Sequence, residues 1–321
     1  MRAARVVAPA LALAALLTAR PAAAYFEETA LGSRGISLGF SALAAVRDVT
    51  AAYWNPAALA ELGGPQAFAD YCKPYGVQDL NEGAVLAGAR RWDTGWAVGW
   101  HRLGIANAYA EDVFSAAAGR RLLEFGRGHR LAGGATFKFE RIGLQPFTAY
   151  DVDDETGAWT PGAHVDYGSQ AKGSLDAGLL WTTPWRVDLA WVGRDLLEPH
   201  FEFIAGSGGG RVPFRNELAA SLRWNKESTL TLGWSQVDRT RTSVNVGFEI
   251  LFYDVFAIRS GLTNLRPIVQ DTGSPNDFQY TGGFGIFHKG YYVDAAVSTN
   301  HDLGASYRVS VLVPFGRRGQ P

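Results

Sequence analysis

Across residues 291–315, apolar and polar side chains alternate almost residue by residue. In Tyr291-Tyr292-Val293-Asp294-Ala295-Ala296-Val297-Ser298, one parity reads Tyr, Val, Ala, Val and the other Tyr, Asp, Ala, Ser. After a short turn, Ala305, Tyr307, Val309, Val311, Val313 and Phe315 are apolar, with Ser306, Arg308 and Ser310 between them. Successive side chains of a strand point to opposite faces, so one face is greasy and the other wet. The same reading predicts strands at 65–72, 83–91, 95–103, 112–121, 130–142, 173–181, 186–195, 215–224, 229–236, 242–251, 255–262, 278–287, 291–298 and 305–315. Most approach the ~9–11 residues that a tilted strand needs to cross a bilayer. A soluble antiparallel sheet alternates too, but here the pattern fills nearly the whole chain behind an export signal. The expected fold is all-β: a transmembrane antiparallel up-and-down barrel of about 14 strands.

The connections alternate in length. One set includes the long, Gly-, Asp-, Pro- and Thr-rich segments 143–172 and 196–214, and the other consists of short turns. Bacterial barrels have short periplasmic turns and longer external loops, and an even strand number leaves both termini on one side.

The two parities differ in chemistry. One collects Leu175, Leu179 and Trp181, Val187, Leu189 and Trp191, Leu218, Leu222 and Trp224, Leu230, Leu232 and Trp234, and Val244, Val246 and Phe248. Its tryptophans fall at strand ends, where an amphipathic ring sits at headgroup level. The other collects Lys138, Glu140, Asp176, Arg186, Asp188, Arg194, Glu217, Arg223, Glu249, Arg259, Asp294 and Arg308. A cation facing lipid at the midplane costs roughly 2–4 kcal/mol, so the charged parity is assigned to the lumen. Both signs are present, which fits either a ladder of ion pairs across a narrow lumen or a path for a solute.

At the N-terminus, Arg2 and Arg5 precede an apolar stretch at 6–17 and an Ala22-Ala23-Ala24 site. This reads as a secretory signal peptide over 1–24, cleaved before Tyr25. Twelve apolar residues are too few to span a bilayer. Without Arg2, Arg5 and Arg20 the formal charge of −1 becomes −4, no basis for nucleic-acid binding. Thirty-eight glycines, ten tryptophans and twelve tyrosines suit tight packing with aromatic girdles. Cys72 is the single cysteine and reads as a small apolar strand residue.

Residues 25–64 do not alternate. Ala42–Arg47 is small and apolar enough for a short helix. A second is predicted from Pro56 through Leu62, with Asn55 as N-cap and Gly63-Gly64 as stop. The expected organisation is a hatch over 25–64, a barrel over 65–315 and a tail over 316–321.

This region resembles a known family. The opening Gly32-Ser33-Arg34-Gly35, then Asp48, Ala51, Tyr53-Trp54-Asn55-Pro56-Ala57 and Leu59, ahead of a strand-rich body, looks like the FadL/TodX-type outer-membrane transport proteins and the related PorV/PorQ group. The resemblance covers residues 31–62, and the rest of the chain only through strand count and topology. It implies an N-terminal hatch plugging a fourteen-stranded barrel in the bacterial outer membrane, with Asp48, Trp54, Asn55, Pro56 and Ala57 as hatch or gating residues. It further implies transport of small hydrophobic or amphipathic molecules, with a lipid-like ligand and outer-membrane lipids as partners. The shorter chain and leaner external loops point to the PorV-like branch, whose members bind secreted proteins or secretion machinery.

Enzymatic readings are weaker. Gly35-Ile36-Ser37-Leu38-Gly39 fits G-x-S-x-G, but that motif needs a strand–turn–helix in a parallel sheet. Ser298 and His301 near one rim make a second candidate pair for lipid hydrolysis. The six histidines show no ligand spacing, and the run Gly206-Ser207-Gly208-Gly209-Gly210 lacks a P-loop lysine. The expectation is a non-enzyme without cofactor or metal.

Overall fold

The computed structural model describes residues 30–152, 159–203, 209–238, 241–265, 278–289, 291–301 and 303–315. The signal peptide, the tail 316–321 and residues 206–208 of the glycine run lie outside these.

Among the described residues eighteen strands are formed: β1 (Gln66–Lys73), β2 (Leu80–Arg91), β3 (Thr94–Ile105), β4 (Tyr109–Phe125), β5 (His129–Leu144), β6 (Phe147–Val152), β7 (Trp159–Val165), β8 (Ser169–Thr182), β9 (Val187–Arg194), β10 (His200–Phe201), β11 (Gly210–Arg211), β12 (Arg215–Arg223), β13 (Ser228–Val237), β14 (Arg241–Phe252), β15 (Phe256–Leu265), β16 (Gln279–His288), β17 (Tyr291–Asn300) and β18 (Gly304–Pro314). Fourteen close into one antiparallel barrel, with β1 pairing β18 so that Ala69 faces Val311. Closure satisfies every strand edge, which an apolar solvent requires. The other four form the hairpins β6–β7 and β10–β11, set within the two longest connections. All fourteen predicted strands are present. The main difference is β4, which extends beyond 112–121 at both ends and absorbs an extra residue at a bulge near Arg121 and Leu123.

The face assignment follows the register. Leu218 lies between Trp191 and Trp234, and Leu232 between Ala220 and Val246, all on the outside. Leu232 is 51% exposed, whereas Thr231 beside it is 0% exposed. Arg186 is the exception among the predicted lumen residues. It lies not on a strand but in the turn before β9, at φ 63°, and is exposed. Pro184 before it and the positive φ end the ladder, so β9 starts at Val187.

The core lies inside the cylinder. Residues 30–62 pack there as four short pieces: the helix Ser33–Ser37, the 3-10 turn Ala42–Ala44, the helix Ala51–Trp54 and the 3-10 helix Pro56–Glu61. The helix predicted over Ala42–Arg47 shrinks to that three-residue turn, because Arg47 turns away to meet Glu61 and Asp188. The predicted start at Pro56 is found, although the coil is 3-10 and ends at Glu61.

Candidate functional site

Two rows of small wall residues seat the inner segment. Gly95, Gly119, Gly134 and Gly178 are register partners across β3, β4, β5 and β8. Pro56–Leu59 lies directly on this row. A Cβ at Gly95 would overlap Leu59 O, one at Gly119 or Gly134 would overlap the Pro56 carbonyl, and one at Gly178 would overlap Asn55 Oδ1. The second row is Thr231, Gly247, Gly261 and Thr281, also register partners, across β13 to β16. Here Leu38 O covers Gly247 and Gly39 N covers Gly261. The Gly39 N–H also donates to Thr281 Oγ1 at 3.1 Å, and the Ser41 hydroxyl meets Thr231 Oγ1 at 2.6 Å. Only residues without side-chain bulk allow backbone to approach backbone this closely.

Of the predicted hatch residues, Trp54, Asn55, Pro56 and Ala57 form the elbow between the helix Ala51–Trp54 and the 3-10 helix Pro56–Glu61, while Asp48 lies in the turn before Ala51. Asn55 is 0% exposed. Its Oδ1 accepts from Ala57 N at 3.1 Å, and its Nδ2 donates to Leu43 O at 3.3 Å and to Leu179 O of the wall at 3.1 Å. Pro56 follows at the first helical position, where its missing N–H costs nothing. The Trp54 indole donates to Leu31 O at 2.9 Å and lies flat over Gly35. Asp48 Oδ1 accepts from the Thr50 N–H at 2.8 Å and its hydroxyl at 2.5 Å, ordering the turn into Ala51–Trp54.

Arginines tie this elbow to the wall. Arg194 donates to Tyr53 O at 2.5 Å and Trp54 O at 3.1 Å, while its Nε meets Glu217 at 2.5 Å. Arg34 reaches Glu249 with two bonds of 3.0 and 2.9 Å, and Arg259 bridges Glu249 and Asp294 at 2.5 Å each. Arg47 joins Glu61 at 2.7 Å to Asp188 at 2.9 Å, with Arg223 on Asp188 at 3.4 Å from the rim. Arg308 pairs with both Asp70 and Glu82. Other than Arg186, each of these charged wall residues sits on the inward parity of its strand and pairs, and several contact residues 30–62. Charge alternation revealed them. The glycine rows were missed, although their inward parity and mutual register carry the signal.

Between the plug and the long-connection end lies a partly enclosed cavity of about 80 Å3. Its floor is Leu31, Ala52 and Tyr53, and its walls include Leu86, Val113, Ser115, Lys138, Glu140 and Asp176. Asp195, at the start of the β9–β12 connection, bends over it and donates its N–H to Asp176 Oδ1 at 2.9 Å. That connection also buries Phe201 and Val212 against Ile142.

The candidate catalytic residues are not assembled for nucleophilic chemistry. Ser37 is buried at the end of a helix and donates to Arg34 O at 3.0 Å, in place of the strand–turn–helix its motif requires. Ser298 pairs with Ser306 in the ladder and His301 is exposed beyond it. Among the described residues no cluster of His, Cys, Asp or Glu is placed to hold a metal.

Comparison with solved structures places the fold. The chain is similar to a Pseudomonas aeruginosa FadL homologue, at 14% identity over 91% of this chain and 100% of that one, with a TM-score of 0.57. The CymD monoaromatic hydrocarbon channel gives 10% identity over 91% of this chain and 100% of the other, at 0.59. The Pseudomonas putida toluene transporter TodX gives 11% over 89% and 98%, at 0.59. The fold is therefore that of the FadL-type outer-membrane channels. Neither family models nor curated proteins give a match to the chain.

Proposed function

We propose that this protein is an outer-membrane channel passing small hydrophobic or amphipathic molecules through a plugged lumen. The observation that carries this reading is the cavity whose floor is the hatch itself, at Ala52 and Tyr53, immediately before the Trp54-Asn55-Pro56-Ala57 elbow. The FadL-type fold supports it, since proteins of that fold include channels described as hydrocarbon and toluene transporters. The channel fold and the dispersed serines likewise support a non-enzyme.

Energetics decide how the path opens. Leu31, Leu38, Leu43, Val46, Val49, Trp54, Leu59 and Leu62 are each no more than 3% exposed. Each contributes roughly 1.5–3 kcal/mol by burial, so wholesale expulsion of the plug costs on the order of 10–20 kcal/mol. Transport needs a smaller motion. The elbow Trp54–Ala57 is the natural moving part, because it follows directly on Ala52 and Tyr53 of the cavity floor and lies over the row of glycines, so that of its described hydrogen bonds to the wall a shift has to release only those of Arg194 to Trp54 O and of Asn55 to Leu179 O. The contacts of Arg34 with Glu249 and of Arg47 with Asp188 hold the rest of the hatch as the elbow shifts, and Asp48 orders the turn before it through Thr50.

The test is uptake of an apolar fluorescent dye by whole cells expressing the full chain or lacking it, with heat-modifiable gel mobility reporting barrel folding. Faster uptake with the chain present is expected. Equal uptake from a folded barrel in the outer membrane overturns the channel reading and brings forward a PorV-like role in binding secreted proteins.

A further inference from the structure

On the outer wall of β2 to β5, charge gathers in two register rows. One holds Arg102, Asp112 and Arg141, and the other holds Arg91 and Arg120. Between them the outward parity is apolar, as in Trp96, Val98 and Trp100 on β3 and Phe114, Ala116 and Ala118 on β4. Eight residues of β4 separate Asp112 from Arg120. At ~3.4 Å per residue and a tilt of ~40° they rise about 20 Å, close to the ~25 Å apolar band of an outer-membrane barrel. The two rows therefore mark the two edges of the lipid, with Arg102 and Arg141 at the long-connection edge.

The upper row is shaped as a notch. Asp112 is buried although it lies on the outward parity. Its Oδ1 accepts from Trp100 Nε1 and from Arg102 Nη1, each at 3.0 Å, and its Oδ2 from the same Nη1 at 3.2 Å. The Arg102 side chain is half exposed, and its Nε and Nη2 have no partner among the described residues. Arg141 is exposed and among the described residues reaches Ser169 Oγ alone, at 3.5 Å. One row nearer the rim, Gly104, Ala110 and Gly143 are register partners, so no bulky side chain of β3 to β5 covers the guanidiniums. One row nearer the midplane, Trp100, Phe114 and Phe139 are register partners and exposed, forming an aromatic shelf. Asp112 offsets one of the two cations, which leaves the notch with a net positive charge.

We propose that this notch binds the phosphate of a lipid in the external leaflet, whose acyl chains descend over Trp100, Phe114 and Phe139. This rests on the membrane reading above, with the long connections outside, and adds a partner on the outer wall. The notch opens sideways into the leaflet and not into the lumen, so a membrane lipid is the molecule that meets it. Arg102 and Arg141 stand two strand spacings apart, ~9–10 Å, and can close on one phosphate from both sides. The guanidinium fork matches phosphate oxygens. A hydrocarbon has no use for the arginines, and a free anion none for the shelf.

The experiment is native mass spectrometry of the full-length barrel in detergent, titrated with lipid A, with the same lipid stripped of its phosphates, and with inorganic phosphate. Lipid A is expected to bind about 10- to 100-fold more tightly than the stripped lipid, as hydrogen bonds to charged groups give. Arg141→Gln should remove most of that preference. Gly143→Glu should do the same if Arg141→Gln fails to fold: a Cβ there meets nothing nearer than Ser169 Cβ at 3.9 Å, and the new carboxylate competes for Arg141. Arg120→Gln, at the opposite edge, should leave lipid A binding unchanged. Equal binding of the two lipids overturns the proposal, as does inorganic phosphate binding as tightly as lipid A. Loss of binding in Arg120→Gln with none in Arg141→Gln puts the phosphate at the other edge and overturns it too. A dimer that lipid A does not displace and Arg141→Gln abolishes makes the notch a contact between copies, and likewise overturns it. Each of these failures leaves passage standing, because passage is measured separately in cells.

Discussion

In the wall, every strand is stitched to two neighbours by a continuous ladder, and β4 alone runs from Tyr109 to Phe125. Inside it, residues 30–62 form no element longer than six residues. The wall repeats one rule, apolar out and polar or small in. The hatch repeats nothing: its order comes from single contacts such as Asn55 to Leu179 O, Arg34 to Glu249 and Leu38 O over Gly247. A ladder loses little when one side chain changes, because its backbone bonds remain. A segment held by individual contacts loses a definite fraction with each, so the hatch is the part that can loosen while the barrel stays closed.

The largest effect should come from breaking the rule of the wall. Leu232→Arg places a cation on the lipid face, at roughly 2–4 kcal/mol if near the midplane, whereas Ser235→Arg on the same strand faces the lumen. Heat-modifiable mobility should show Leu232→Arg failing to assemble and Ser235→Arg assembling. Equal behaviour would mean that the two faces do not meet different solvents, and the opposite order that they are reversed. Ala190 would be a poor inward control, since it packs within the core that includes the hatch.

That contrast also explains what could be read from the chain. Lipid enforces a period of two, so residues such as Asp176, Glu217 and Arg259 declare their face by the company of Leu175, Leu218 and Ile258. The Asn55-Pro56 start was legible because capping is local, and Asn55 does accept from Ala57 N. The helices Ser33–Ser37 and Ala51–Trp54 left no such trace. Each is under two turns and is stabilised by partners far away in sequence, as Thr136 Oγ1 donates to Ala52 O at 3.0 Å. The row Gly95, Gly119, Gly134 and Gly178 needed the register of four strands before its members could be seen as one surface. Arg186 misled because parity continues past the point where Pro184 ends a ladder.

Within the hatch, Asn55→Ala should have the largest effect. It removes the cap, worth about 1 kcal/mol, and leaves the Leu43 and Leu179 carbonyls without this donor, for a total of roughly 2–3 kcal/mol. The expected outcome is a folded barrel with faster uptake of an apolar dye in whole cells. A barrel that fails to fold would make the elbow part of the wall's own stability and erase the comparison.

Gly134→Ala sharpens the same contrast from the other side. Its Cβ would press on the Pro56–Ala57 peptide, an overpacking cost of about 1–3 kcal/mol borne by whichever partner yields. The ladder of β5 with β4 and β8 holds Gly134 in place, so the hatch should yield, with normal gel mobility and increased dye uptake. Gly133→Ala, one residue away and on the outward parity, meets Leu122 and Leu179 side chains instead and should leave uptake unchanged. Increased uptake in both would show that the wall, not the hatch, gives way.

The smallest effect is expected at Asp48. Among the described residues its carboxylate accepts from Thr50, through the backbone N–H and the hydroxyl, in a local turn that sets the start of Ala51–Trp54. Asp48→Ala should cost about 1 kcal/mol, since water can replace part of what is lost at a half-buried site. Dye uptake should rise less than in Asn55→Ala, and Asp48→Asn, which keeps an acceptor in place, should match the unmodified chain. A larger rise in Asp48→Ala than in Asn55→Ala would move the pivot from the Asn55-Pro56 elbow to the turn before Ala51. The glycine row beneath Pro56 would then be a fixed seat rather than the surface over which the gate slides.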